Sequence, residues 1–211
     1  MVHFEFGNTL TRKSGLARSM FIDRAEQFHH RLGWDVNVNA VGEERDEYDQ
    51  LNPLYVVVAD EKNRHQASMR LLPTVGRTMV NEHFIQIMNG VKVESPLIWE
   101  CTRFCISPSA KGSAAIKLLA AGGKIMKELG LRSFVGVFDQ KMLPIYRRLG
   151  SRPTVIGWSE GRENIIGVGL WDYSSSEYDK MLERSGLSET EMELFFVNSR
   201  LQLPISPRKR A

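Results

Sequence analysis

Residues 97–150 read LIWECTRFCISPSAKGSAAIKLLAAGGKIMKELGLRSFVGVFDQKMLPIYRRLG, and the order of elements in this stretch decides the fold. Leu97–Ile106 has the aromatic and β-branched content of a buried strand and stops at Ser107-Pro108. Ala114–Leu129 has the composition of a strong helix and is closed by Gly130. Ser133–Phe138 is a short apolar strand, and Lys141–Leu149 is a second helix closed by Gly150. A strand, helix, strand, helix succession belongs to the α/β class.

Toward the N-terminus, Val2–Phe6 alternates as a strand, and Ser14–Leu32 repeats apolar residues at helical spacing through Leu16, Met20, Phe28 and Leu32, with Gly33 as a stop signal. Residues 34–53, WDVNVNAVGEERDEYDQLNP, are polar and acidic and read as a long loop, a length at which loops usually carry function. The β-branched run Leu54–Ala59, the turn DEKNRH and the strand Met69–Leu72 form a hairpin. Glu82–Met88 fits a short helix. Strands around Thr154–Trp158 and Ile165–Trp171 precede a polar region with helical potential at Ser188–Phe196 and a basic end, PRKRA. The expected architecture is a three-layer α/β/α sandwich with one central mixed sheet, in a single domain over 1–211 whose last residues, about 200–211, form a flexible basic tail.

The 211 residues, 42% apolar and 25% charged, match an ordinary globular chain. Such a chain buries roughly 70% of its unfolded surface and needs no disulfide or metal to hold a core. Cys101 and Cys105, the only cysteines, are too few for a disulfide framework and lack partners for a zinc site, so a reducing compartment fits. No apolar run approaches ~18 residues and the N-terminus lacks a signal-peptide pattern, which points to the cytoplasm. Residues 1–105 hold 12 basic and 14 acidic side chains, whereas 106–211 hold 16 and 11. The excess gathers in 107–152, so an acidic partner is expected. Nucleic acid is disfavoured, because aromatics are sparse there and no recognition motif is present.

Several residues strain a purely structural explanation. Arg24 and Phe28 lie four apart on the first helix, with Trp34 just beyond it, a setting for a cationic or adenine-bearing ligand. GEERDEYDQ carries five carboxylates between Glu43 and Asp49. Arg70 interrupts the apolar strand MRLLP, and Glu100 and Arg103 interrupt IWECTRFCI. A charge in a central strand is costly unless paired or functional. The plainer alternatives are core packing for the aromatics and solvated faces for the charges. His29 and His30 read as solvated, and the two cysteines as core.

The strand ending in CIS, the turn SPSAKGSA, the helix, the next strand and the helix ending YRRLG resemble the GNAT acetyltransferase fold. Within it, Arg24, Phe28 and Trp34, then ERDEYD with Asp46 and Asp49, MRLLPT with Arg70, and WECTRF with Glu100 and Arg103 resemble the acyl-homoserine-lactone synthase family over about residues 20–110. Weaker similarity extends to 150. Thr102 stands where the family often has serine, which keeps the hydroxyl.

The resemblance implies an acyltransferase that makes a quorum-sensing signal. An acyl chain passes from acyl carrier protein, or from coenzyme A, to the α-amine of S-adenosylmethionine, and lactonisation then releases methylthioadenosine. It implies no tightly bound cofactor and no metal. Glu100 is the expected base, because the attacking amine must be neutral. Arg24, Arg70 and Arg103 would hold carboxylates of the ligand or of the protein, and Asp46 and Asp49 would face the positive ligand. Phe28 and Trp34 would offer aromatic faces. Backbone amides near Phe104, Cys105 and Ile106 would receive the thioester oxyanion. Phe134, Val137 and Phe138 would line the acyl pocket, and Lys117, Lys124 and Lys127 would dock the acidic carrier. Relatives preferring 3-oxo chains carry a threonine just past the strand matching Ser133–Phe138. None occurs between Ser133 and Thr154, so an unsubstituted or 3-hydroxy product of medium to long chain is expected. The competing reading is an N-acetyltransferase that uses acetyl-CoA.

Overall fold

The computed structural model of the chain describes residues 1–161, 164–199 and 201, so the expected basic tail lies almost wholly outside the described residues. Seven strands form one sheet: β1 (Val2–Phe6), β2 (Leu54–Ala59), β3 (His65–Pro73), β4 (Ile98–Ile106), β5 (Ser133–Asp139), β6 (Thr154–Trp158) and β7 (Ile166–Asp172). Their order is β1-β2-β3-β4-β5-β7-β6, with only β4 and β5 parallel. That parallel pair is the one joined through a helix, as a crossover connection requires.

Strand alternation sends side chains to two helical layers. Tyr55, Val57 and Ala59 of β2 pack against Leu16, Ala17, Met20 and Phe21 of α2 (Ser14–Arg24), which follows the single turn α1 (Gly7–Leu10). Val56 and Val58, with Phe4, Met69 and Leu71, face Ala114, Leu118, Ala121 and Ile125 of α4 (Ala114–Leu129). The 4-3-4 spacing of those four α4 residues makes one helix face. Gly122 brings α4 close to the sheet, because a Cβ there would lie 2.9 Å from the Met69 methyl.

Three local features depart from the sequence reading. The first helix loosens after Arg24 into a π-helix over Ala25–Arg31, a wide form that recurs at functional sites. The short helix near residue 82 is α3 (Met79–His83) followed by a 3₁₀ turn, Ile85–Met88. Between α5 (Leu143–Leu149) and α7 (Glu189–Asn198) lies an unforeseen helix, α6 (Ser175–Ser185), whose Tyr178, Met181 and Leu182 join the α4 core.

Candidate active site

The acidic loop folds back under the sheet rather than staying in solvent. Asp46 caps a 3₁₀ turn at Glu47–Leu51 by accepting from the amides of Tyr48 and Asp49, and Asp49 returns a bond from the Asp46 amide. Glu44 is fully buried, although it is not one of the acids singled out in the sequence. The three suspect arginines meet three of these carboxylates. Arg24 bonds Glu44 at 2.6 Å and Asp49 through two parallel bonds of 3.0 Å. Arg70 bonds both Asp46 and Asp49. Arg103 bonds Glu44 at 2.9 Å and Asp46 at 2.8 Å. The result is a closed alternating ring: Arg24, Glu44, Arg103, Asp46, Arg70, Asp49 and back to Arg24. Arg24 and Arg70 are 1% and 0% exposed, so the guanidinium forks supply what burial removes.

The ring corrects two expectations. Its arginines hold protein carboxylates, and its acids are neutralised by arginines rather than free to oppose a ligand's charge. Burial works against the Asp49 carboxylate, but Arg24 and Arg70 beside it hold its pKa well below the usual range. Tyr55 and Thr102 complete the bonding, Tyr55 donating to Asp49 and Thr102 accepting from Arg70 at 3.0 Å.

Arg103 sits at φ +51°, where β4 carries an extra residue against β3 between the Ser68–Cys105 and Arg70–Thr102 pairs. Such a bulge re-aims side chains and bends the strand. Beyond it β4 and β5 part, their parallel pairing ending at Glu100–Val135. Amides alternate between the two edges of a strand. Since the Ser107 amide bonds Gln66 beside β3, the amides of Ile106 and Phe104 turn toward the parted edge. The Cys105 amide alternates to the β3 side, so Cys105 does not share that role.

One open cavity of about 1500 Å³ joins these features. At one end Phe28 and Trp34 stack with ring centroids 5.3 Å apart and planes 9° from parallel, the Arg103 guanidinium lying 5.6 Å from the Phe28 centroid. Arg103 and Asp46 border the cavity between that stack and the parted strands. The far end is apolar, with Phe134, Gly136 and Phe138 on the cavity face of β5. Val137 edges the cavity but packs with Val80 and Met88 on the opposite side, as does Val135. Burial pushes both cysteine thiols up to about 12, which removes them as nucleophiles.

Glu100 departs from its expected place. It does not line the cavity. One oxygen accepts from the Val80 amide at 2.6 Å and the other from the Met79 amide at 3.1 Å, so it caps α3 from below. Burial raises its pKa, with those two bonds opposing. The lysines on α4 also differ from expectation. Lys124 is buried and bonds Glu128 and Glu193, and Lys127 bonds Glu189 at 2.7 Å, so both are occupied within the protein. Lys117 has no ion pair among the described residues, in which no cluster of metal-binding side chains occurs either.

The family described as autoinducer synthase matches residues 8–181. An acyl-homoserine-lactone synthase of Rhizobium etli is 40% identical over 163 residues, covering 74% of this chain and 76% of that one. One from Agrobacterium fabrum is 40% identical over 150 residues, covering 64% and 70%. Among solved structures, a CoA-dependent acyl-homoserine lactone synthase, BjaI, with SAM and isopentyl-CoA, superposes with a TM-score of 0.79 at 22% identity, covering 90% of each chain. A putative N-acetyltransferase from Lactobacillus plantarum shares the fold at a TM-score of 0.55 and 12% identity over 82% of this chain and 98% of its own.

Proposed function

The chain belongs to the autoinducer synthase family, and from that premise we propose that it makes an acyl-homoserine lactone from S-adenosylmethionine and an acyl thioester. The observation that carries this reading is the single cavity running from the Phe28–Trp34 stack to the parted strands β4 and β5. It is larger than a site for one small ligand, as two substrates require. S-adenosylmethionine lies with its adenine or sulfonium on the stack, against the rigid border of the ion ring. The thioester carbonyl enters between the strands, and its oxygen meets the Phe104 and Ile106 amides as charge develops.

The α-amine attacks that carbonyl, the carbon–sulfur bond breaks, and the proton lost by nitrogen leaves on the departing thiol. The methionyl carboxylate then displaces the sulfonium from its own side chain, closing the lactone and releasing methylthioadenosine. No covalent enzyme intermediate is needed, in keeping with the two protonated thiols. Purified protein given S-adenosylmethionine and a panel of acyl donors should release methylthioadenosine and acyl-homoserine lactone in equal amounts by mass spectrometry. Consumption of acetyl-CoA and a simple amine, with S-adenosylmethionine intact, would establish the N-acetyltransferase reading instead.

Glu100, with both oxygens on α3, is best understood as the residue that holds Met79, His83 and Phe84 at the cavity wall. Glu100→Gln turns one acceptor toward a backbone N–H as an NH₂ group. We expect it to lower the unfolding free energy by about 1–3 kcal/mol and to leave the pH profile of kcat/KM with its acidic limb in place. A folded Gln variant whose profile has lost that limb would give Glu100 the role of base.

An acyl carrier protein is the donor that the surface favours. Lys141 and Arg152 line the cavity. Arg147 and Arg148 are exposed on α5 beside them, and none of the four has an ion pair among the described residues. Reversing Arg147 and Arg148 to Glu should raise the KM for an acyl-carrier donor about tenfold at low salt and flatten its salt dependence, without changing S-adenosylmethionine affinity. A KM for acyl-CoA that rises equally would assign the patch to the nucleotide phosphates. Both substrates are made in the cytoplasm, where the enzyme is placed by this reading, as one domain.

A further inference from the structure

The apolar end of the cavity contains one hydroxyl that the protein leaves unused. Four hydrogen-donating side chains surround it: Cys101, Tyr146, Trp171 and Tyr178. Three are occupied internally. The Trp171 indole donates to the Ser151 carbonyl at 3.2 Å, the Tyr178 hydroxyl to Glu189 at 2.6 Å, and the Cys101 thiol lies 3.6 Å from the Met69 sulfur. The Tyr146 hydroxyl, on α5, has no hydrogen-bond partner among the described residues.

Its ring cannot easily swing elsewhere. It meets Phe138 and Trp171 edge to face, with centroids 5.7 and 5.4 Å away, and those two rings meet each other at 5.8 Å. This corner lies where β4 and β5 separate: a Cβ on Gly136 would stand 3.0 Å from the Cys101 carbonyl and 3.2 Å from the Trp171 ring. Burial, with the Cys101 thiol nearby, raises the phenol pKa above its ordinary value, so Tyr146 stays a neutral donor. A buried hydroxyl without an acceptor is unfavourable, and the ligand is the remaining source of one.

We infer that the Tyr146 hydroxyl donates to an oxygen carried by the acyl chain near its thioester, selecting donors oxidised at C3. This rests on the lactone-synthase reading and goes past it to the chain. C3 is the position at which fatty-acyl thioesters bear an oxo or hydroxyl group, and either oxygen accepts from a phenol. The thioester oxygen itself is served from the other side of the gap, by the β4 amides. The sequence-based expectation of an unsubstituted or 3-hydroxy chain weighed only a threonine as donor. The geometry points to Tyr146 in that capacity, which readmits a 3-oxo chain.

The test compares unsubstituted, 3-hydroxy and 3-oxo acyl donors of equal length on wild type and Tyr146→Phe. The variant should lower kcat/KM about tenfold for a 3-oxygenated donor relative to the unsubstituted one, and leave the unsubstituted value within twofold. The ratio is taken within one preparation, so partial unfolding cancels. An equal loss on all three donors would make Tyr146 a leaving-group acid or a packing residue, and no change at all would make it a bystander. Either overturns the inference. Wild type that releases no methylthioadenosine with any donor would instead bring down the reading of the reaction itself.

Discussion

Glu44→Gln is expected to cost about 3–5 kcal/mol of unfolding free energy, because it leaves Arg24 and Arg103 short of a buried counter-charge. Urea denaturation measures the loss, and Glu43→Gln, whose partner Arg45 is half exposed, should change stability by less than about 1 kcal/mol. A Glu44 variant as stable as wild type would mean that the ring is not formed as described. The ring also sets the acid limit. Asp49 has its folded pKa depressed below the ordinary value near 3.8, so its stabilising contribution is complete above that value and is lost as pH falls below it. Asp49→Asn should abolish that part of the acid transition.

Gly136→Val should reduce acyl transfer by at least about a hundredfold while S-adenosylmethionine still binds. The added carbons would enter the gap between β4 and β5, where the first would already press on the Cys101 carbonyl and the Trp171 ring. The thioester would be kept from the Ile106 and Phe104 amides, and misplacement by an ångström is enough to remove most of the benefit of a positioned site. Calorimetric titration with S-adenosylmethionine separates this outcome from general unfolding. A variant with normal turnover would place the acyl thioester elsewhere than between these strands.

The strands were legible because each is a compact run of β-branched and aromatic residues, and all seven occur within a residue or a few of their expected bounds. Arg24, Arg70 and Arg103 were legible as anomalies, charges in apolar surroundings. Their partners were not. Five acids in GEERDEYDQ look alike, and only the path of the chain under the sheet selects Glu44, Asp46 and Asp49. Glu100 was read as a base for want of knowledge that the amides of Met79 and Val80 arrive beneath it. Lys124 was read as a surface lysine because the carboxylate closest to it, Glu193, is 69 residues away. The α6 helix could have been found. Ser174 and Glu177 have N-cap spacing, Gly186 closes it, and Tyr178, Met181, Leu182 and Ser185 repeat at three, four and seven. The π-helix has no comparable signature in composition.

Three guanidinium groups and three carboxylates closed into a ring carry no net charge, so their field falls off far faster than that of a single ion. The end of the cavity beside the aromatic stack is therefore electrically quiet at a distance, while the Arg147–Arg148 edge is not. Ionic strength then becomes a means of telling the two substrates apart. Raising salt from 0.05 to 0.5 M shortens the screening length from about 14 to 4 Å and should weaken capture of an acidic carrier while S-adenosylmethionine affinity stays level. The encounter with the donor would follow the salt content of the medium, and the methionine derivative would be held by contact alone.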